Sequence, residues 1–367
     1  MNIIKIKKTD FFLIFVYFNI FCKGIGLDND SILYKILLIL GVVSSVYKIL
    51  EEYYTKNEII QIVGIFLIGF FSFLKTSKPT LLLTCICIIG MKNVDLDKLF
   101  KGIFRIRGIT FFSVITLSLV GIIENKSLTM WRNGGVDVRY SLGYGHPNSL
   151  HLSLFLFLCT YVYVRYTKFK FIDYLFVSLI NLFIFKYSLS RTGTLVIFIM
   201  LLLVFISKIK FKFTKKVIIK SCKYIFLILM ITSFLFAFLY GKSEIVTKFD
   251  FLFNGRLKYS NYYITNYGFT IFGNLLIGDT NALFDNGYLY LYIQFGLGGL
   301  LLISSLIYLA CKYIEKTQDV CKAVITISFL IYIFTESFSP NIFINNMLFF
   351  AMPMIYFNRK ESYIKNE

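Results

Sequence analysis

Apolar residues gather into twelve runs along the chain, at 10–27, 32–50, 58–74, 79–91, 108–123, 147–166, 171–187, 192–207, 223–240, 286–311, 321–337 and 342–357, and polar residues fall mostly between them. About 20 apolar residues are what a helix needs to cross the hydrocarbon core of a bilayer. The pattern predicts an all-α fold: a polytopic integral membrane helical bundle of about twelve transmembrane helices, forming one membrane domain over 1–367. The run at 79–91 is short, but it opens at Pro79, and proline suits the first position of a helix. No small-residue cleavage site follows the first run, so it is expected to stay as a span rather than leave as a signal peptide.

Composition supports this plan. Of 367 residues, 57% are apolar and 16% charged, where an ordinary soluble domain carries about 25% charged residues. That excludes a water-soluble fold, and disorder needs the opposite composition. Twelve spans of about 20 residues leave only loops and helix ends for chemistry.

The net charge of +19 does not point to nucleic acid, because the cations lie between apolar runs and are not gathered on one soluble face. They read as topological charge. With the N-terminus and its Lys5, Lys7 and Lys8 in the cytoplasm, twelve spans also put the C-terminus there. Inside segments then hold 26 of the 39 Lys and Arg, as the positive-inside rule requires. Removing the short fourth span would move 208–223, with seven Lys, to the outside. The basic segments 92–107 and 208–223 are expected to lie against anionic lipid on the inner face. Two outer loops exceed a turn, 124–146 and 241–285. No pair of matched broken helices marks an inverted-repeat transporter.

The seven Cys lie in or beside apolar runs without a CxxC, so neither a disulfide framework nor a zinc site is expected. His146 and His151 are about 140° apart on a helix, so no metal pair is predicted. No cofactor is expected.

Arginine is the informative cation. Lys outnumbers Arg 31 to 8, yet four of the eight Arg fall outside: Arg132, Arg139, Arg191 and Arg256. The guanidinium fork binds phosphate oxygens in pairs and keeps its charge at any pH. An outward-facing site for a phosphorylated ligand is one reading; solvation of exposed loops is the other. Arg191 sits in Ser188-Leu189-Ser190-Arg191-Thr192-Gly193, between two apolar runs with almost no loop. Arg256 follows Asn254-Gly255, a turn signal, while Arg132 and Arg139 flank Gly134-Gly135.

Both outer loops close on polar junctions. The first ends Gly143-Tyr144-Gly145-His146-Pro147-Asn148, which puts His146 at a helix start, where the positive end favours neutral imidazole. His146 reads as a proton acceptor or as a cap, and Asn148 as a donor or acceptor beside it. His151, one turn deeper, reads foremost as a packed polar residue. The second loop holds Asp279 and ends Asp285-Asn286-Gly287-Tyr288-Leu289. Asp285, at the boundary of a long apolar helix, reads as a general base or as an N-cap. Glu336 ends the eleventh run and is a further carboxylate for the same cavity. Tyr259, Tyr262 and Tyr263 read as interfacial anchors or as sugar-stacking rings.

In this order the motifs resemble the bacterial polysaccharide repeat-unit polymerases of capsule and O-antigen synthesis, related to the O-antigen ligases. The matching stretches are Gly143-Tyr144-Gly145-His146-Pro147-Asn148, Ser190-Arg191-Thr192-Gly193, Asn254-Gly255-Arg256 and Asp285-Asn286-Gly287-Tyr288-Leu289 with the glycines after it. The resemblance covers roughly 130–300. It implies a membrane glycosyltransferase-like fold in the bacterial cytoplasmic membrane and an enzyme that joins undecaprenyl-diphosphate-linked oligosaccharides on the outer face, without metal. Further implied partners are the lipid bilayer, a chain-length regulator and a flippase. Asp285, His146 and Arg191 are then the catalytic candidates. Arg139, Arg256, Asn148, Arg132, Asn286 and Tyr288 are the substrate-binding ones. Ligase-type relatives carry His where this chain has Asp285, which weighs against a ligase. A ligase, and in a different class a lipid-linked oligosaccharide flippase or transporter, are the alternatives.

Overall fold

The computed structural model describes residues 8–27, 32–132, 135–209, 211–250, 255–276 and 284–356. In chain order the elements are α1 (Lys8–Gly24), α2 (Ile32–Leu50), α3 (Lys56–Thr76), α4 (Thr80–Gly90), α5 (Leu96–Leu119), β1 (Ser127–Arg132), β2 (Gly135–Tyr140), α6 (Pro147–Arg165), α7 (Phe171–Ser188), α8 (Arg191–Lys208), α9 (Lys212–Leu239), α10 (Glu244–Phe249), α11 (Arg256–Asn266), α12 (Gly287–Thr317), α13 (Val320–Ile333) and α14 (Met352–Ile355). Among the described residues seven helices are long and apolar enough to cross a membrane: α3, α5, α6 with the 3-10 turn after it, α7, α8, α9 and α12. Four of the other apolar runs, on α1, α4, α13 and Asn346–Ile355, fall on helical stretches of at most 17 residues.

The chain divides into two compact units. The first joins residues 1–48 to 94–214; the second joins 49–93 to 215–367.

In the first unit α6 is the central helix, packed against α5, α7 and α8. It is buried nearly all round, from Ser153 to Thr160 without interruption. α5 starts at Leu96, twelve residues before the apolar run it carries, because Asp95 caps it through the Asp97 and Lys98 amides. Three quarters of the basic segment 92–107 is therefore helix continuous with the span, and Arg107 is 2% exposed inside the unit rather than at a helix end. The connection to α6 is an antiparallel hairpin, with Ser127 opposite Tyr140 and Arg132 opposite Gly135. After it Gly143 adopts φ +89 while lying against α5; a Cβ there would meet Val114 and Ser118. Both facts require glycine.

In the second unit α12 plays the central part, touching α3, α11, α13 and α14. α4 is short because it is core: all of it from Leu83 to Gly90 is buried. The last apolar run is not a regular span. Residues 334–345 are irregular, Asn346–Ala351 is a 3-10 helix, and only Met352–Ile355 is α-helical. Side chains replace the missing ladder, as buried backbone demands. Thr84 Oγ1 donates to the Pro340 carbonyl (2.6 Å) and accepts from Ile342 N (3.2 Å). Asn345 and Asn346 donate to the carbonyls of Ser339 and Ile342.

α12 is itself interrupted. Gly296 lies at φ 70, ψ −173, far from helical values. The amides of Leu297 and Gly298 donate instead to the Thr270 and Ile271 carbonyls (2.9 and 2.8 Å). The segment ahead of α12 is held there by Asn274, which donates to Ile293 O, and by Gln294, which donates to Asn274 O.

Candidate functional site

The first unit holds a buried polar network built on the hairpin and three helix ends. Alternation along β2 turns Arg139 inward, 3% exposed. Its Nε donates to the Ser188 carbonyl (2.7 Å) and an Nη to Asn148 Oδ1 (2.5 Å). Ser188 ends α7, and Leu189 turns the chain at φ 44 before α8. The Ser188 hydroxyl meets His151 Nδ1 (2.9 Å), while His151 Nε2 meets Asn181 Oδ1 (3.0 Å). Asn181 donates its amide to the Thr194 carbonyl, which directs its oxygen at the ring. Nε2 therefore carries the proton, and the Ser188 hydroxyl donates to Nδ1.

His146 has the other role the sequence left open. Its extended backbone and Nδ1 cap α6, accepting from Asn148 N (3.0 Å). An Nδ1 used this way holds no proton, so the neutral ring presents Nε2–H as a donor. Tyr144 is buried near Ser153 and Arg107; burial pushes its phenol up to about 12, against the pull of the nearby Ser153 hydroxyl and the Arg107 charge. Arg191 opens α8 and is exposed. Its guanidinium donates no hydrogen bond to a described residue and forms no ion pair with one. Arg132 ends β1, and its side chain lies outside the described residues, as does Asp279.

The second unit holds a charged triad. Arg256 starts α11 directly after Gly255 at φ 82. Its Nε donates to Asp285 Oδ2 (3.0 Å) and its Nη2 to Glu336 Oε1 (3.3 Å). The three side chains are 15–22% exposed, so the triad is mostly buried yet partly open to solvent. The residue that caps α12 is Asn286, not Asp285: its Oδ1 accepts from the Tyr288 and Leu289 amides. Its Nδ2 donates to Ser233 Oγ (3.0 Å). Ser233 lies six residues, about 9 Å, inside the end of α9, so this junction is set within the depth of that helix.

The chain matches no protein-family model, no curated protein and no solved structure.

Asn286 and Tyr288, expected to touch substrate, are committed within the unit. Tyr288 is 1% exposed and donates its hydroxyl to the Leu330 carbonyl. Arg139 likewise positions Asn148 and α7 rather than meeting solvent. Tyr263 is buried and stacks on Phe284, while Tyr262 is exposed. Arg107 and the part of Ser188 are what sequence reasoning missed. Arg107 was assigned to the cytoplasmic cations, although its place only twelve residues into a continuous helix marks it as deep. The hairpin that delivers Arg139 was also missed; Asn133-Gly134 between alternating segments is its signal. No group of metal-ligating side chains occurs among the described residues.

Proposed function

We propose that this chain polymerises undecaprenyl-diphosphate-linked oligosaccharide repeat units into a capsular or O-antigen polysaccharide at the outer face of the bacterial cytoplasmic membrane, with about twelve spans and both termini inside. The observation that carries this reading is the position of the four motifs. Each opens a helix: His146-Pro147 at α6, Ser190-Arg191 at α8, Gly255-Arg256 at α11 and Asp285-Asn286 at α12. Helix N-termini carry unsatisfied amides and partial positive charge, and with an added guanidinium they suit phosphate.

In the reaction the acceptor sugar hydroxyl attacks the anomeric carbon of the donor. The bond from that carbon to the diphosphate breaks, and undecaprenyl diphosphate leaves with the electron pair. Asp285 takes the hydroxyl proton through Oδ1; Arg256 holds Oδ2 and fixes the carboxylate's orientation. General-base help of this kind is worth about 10²–10⁴ in rate. Arg191, in the first unit, is exposed and uncommitted among the described residues, a guanidinium fork suited to the diphosphate of a lipid-linked sugar. A charge-assisted contact there contributes about 1.5–3 kcal/mol. His146, also in the first unit, offers Nε2–H as a donor to an oligosaccharide.

A second reading, a transporter of lipid-linked oligosaccharide, is favoured by the interruption of α12 at Gly296, since broken helices build transport sites. Purified protein in liposomes with lipid-linked repeat units separates the readings. A ladder of lengthening products is expected. Movement across the bilayer without new bonds supports the transporter, and transfer only to a different acceptor supports a ligase; either overturns polymerisation.

A further inference from the structure

A pocket of about 270 Å³ lies between α9 and α12, away from the charged triad. Lys220, Lys223 and Tyr224 line it from α9, and Tyr308, Lys312 and Glu315 from α12. Three ammonium groups face one carboxylate, an excess of positive charge in a small concavity. None of the three lysines is in an ion pair with a described residue. Lys223 Nζ sits 5.5 Å from the centre of the Tyr308 ring, which holds its charge at the pocket instead of leaving it on a free tether.

The pocket continues into an apolar face. On α9, Lys220 and Tyr224 are followed at helical spacing by Leu227, Ile228 and Ile231, all exposed. On α12, Lys312 and Tyr308 are followed by Ser305 and Leu301, one and two turns back from Tyr308 and also exposed. Residues three and four apart share a helix face. The two helices pack along this line, where Ser304 Oγ donates to Met230 Sδ. Beyond it a second cavity, of about 610 Å³, is lined by Met230, Ile231, Phe234, Leu235 and Phe238 of α9 together with Tyr292. From Lys220 to Phe238 the axial rise is about 27 Å, close to the thickness of a bilayer's hydrocarbon core. Cation, then tyrosine, then aliphatic side chains is the order in which a phospholipid presents phosphate, glycerol and chains.

We propose that this pocket binds the phosphate of an anionic glycerophospholipid, with the acyl chains along the exposed α9–α12 face. Two features set it apart from unspecific attraction to a charged surface: the pocket is concave, and its cations come from two helices, so ligand bound there ties α9 to α12. In the topology proposed above it faces the cytoplasmic leaflet.

The test uses the full chain in nanodiscs of phosphatidylcholine with a minor share of phosphatidylglycerol, reading co-retained phosphatidylglycerol by mass spectrometry. Lys220→Gln, Lys223→Gln and Lys312→Gln should each weaken its retention about fivefold, and the three together about a hundredfold. Lys→Arg at the same positions should keep it. Glu315→Gln should raise retention about fivefold, a gain that misfolding cannot mimic. Lys242→Gln and Lys258→Gln, outside the pocket, should change nothing. Equal retention in the triple Gln variant and in wild type overturns the proposal, as does an unchanged Glu315→Gln. Displacement of the lipid by millimolar inorganic phosphate alone would make this a soluble-phosphate site and overturn it too.

Discussion

At the scale of single residues, the proposed function turns on Asp285. Because Asn286 caps α12, replacing Asp285 leaves the helix start intact and removes only the carboxylate and its pair with Arg256. A partly exposed ion pair contributes about 0–1 kcal/mol, so Asp285→Asn should reach the membrane in normal amount. Chain growth should fall about 10²–10⁴-fold, read as polymer length and yield from cells carrying the variant. Full-length polymer would remove Asp285 from the chemistry and turn attention to Glu336. Arg256→Lys keeps a charge, yet one ammonium cannot replace a fork that reaches Asp285 and Glu336 from different nitrogens. Partial loss of chain growth is expected; wild-type yield would reduce Arg256 to a surface cation.

At the scale of elements, the break in α12 makes a testable demand. Gly296 has positive φ, and a Cβ there would lie 2.5 Å from the backbone of Ile271 and Gly273. Backbone cannot move aside as a side chain can. Gly296→Ala should therefore lower stability by roughly 2 kcal/mol or more, followed as thermal unfolding in detergent. Gly64, in the middle of α3, has open space around it. Gly64→Ala should be neutral or stabilising by up to about 1 kcal/mol. If Gly296→Ala melts like wild type, the interrupted helix is not the native form.

At the scale of the whole molecule, α9 carries most of the basic segment 208–223 in its first turns and leads to the long polar loop after 241. A reporter at residue 215 is expected in the cytoplasm and one at residue 250 outside. Labelling of residue 215 by a membrane-impermeant reagent in intact cells would reverse α9, and with it the outward placing of Arg191, Arg256 and Asp285.

The sequence by itself determined where the apolar helices run and which short motifs punctuate them. Both are local properties: lipid selects for composition over about 20 residues, and a glycine, proline or capping residue acts on its own turn. The starts of α6, α8 and α12 were legible on that account. Only the tertiary structure decided which polar groups meet. Arg139 reaches Ser188, 49 residues on, and Arg256 reaches Glu336, 80 residues on; nothing local encodes either pairing. His151 reads as an isolated polar residue until Ser188 and Asn181 close around it. The run at 342–357 looks like a span because its composition is apolar. It folds as an irregular buried segment because Thr84, Asn345 and Asn346, two of them within the run and one far upstream, satisfy backbone groups that a lone segment in lipid would have to bond within itself.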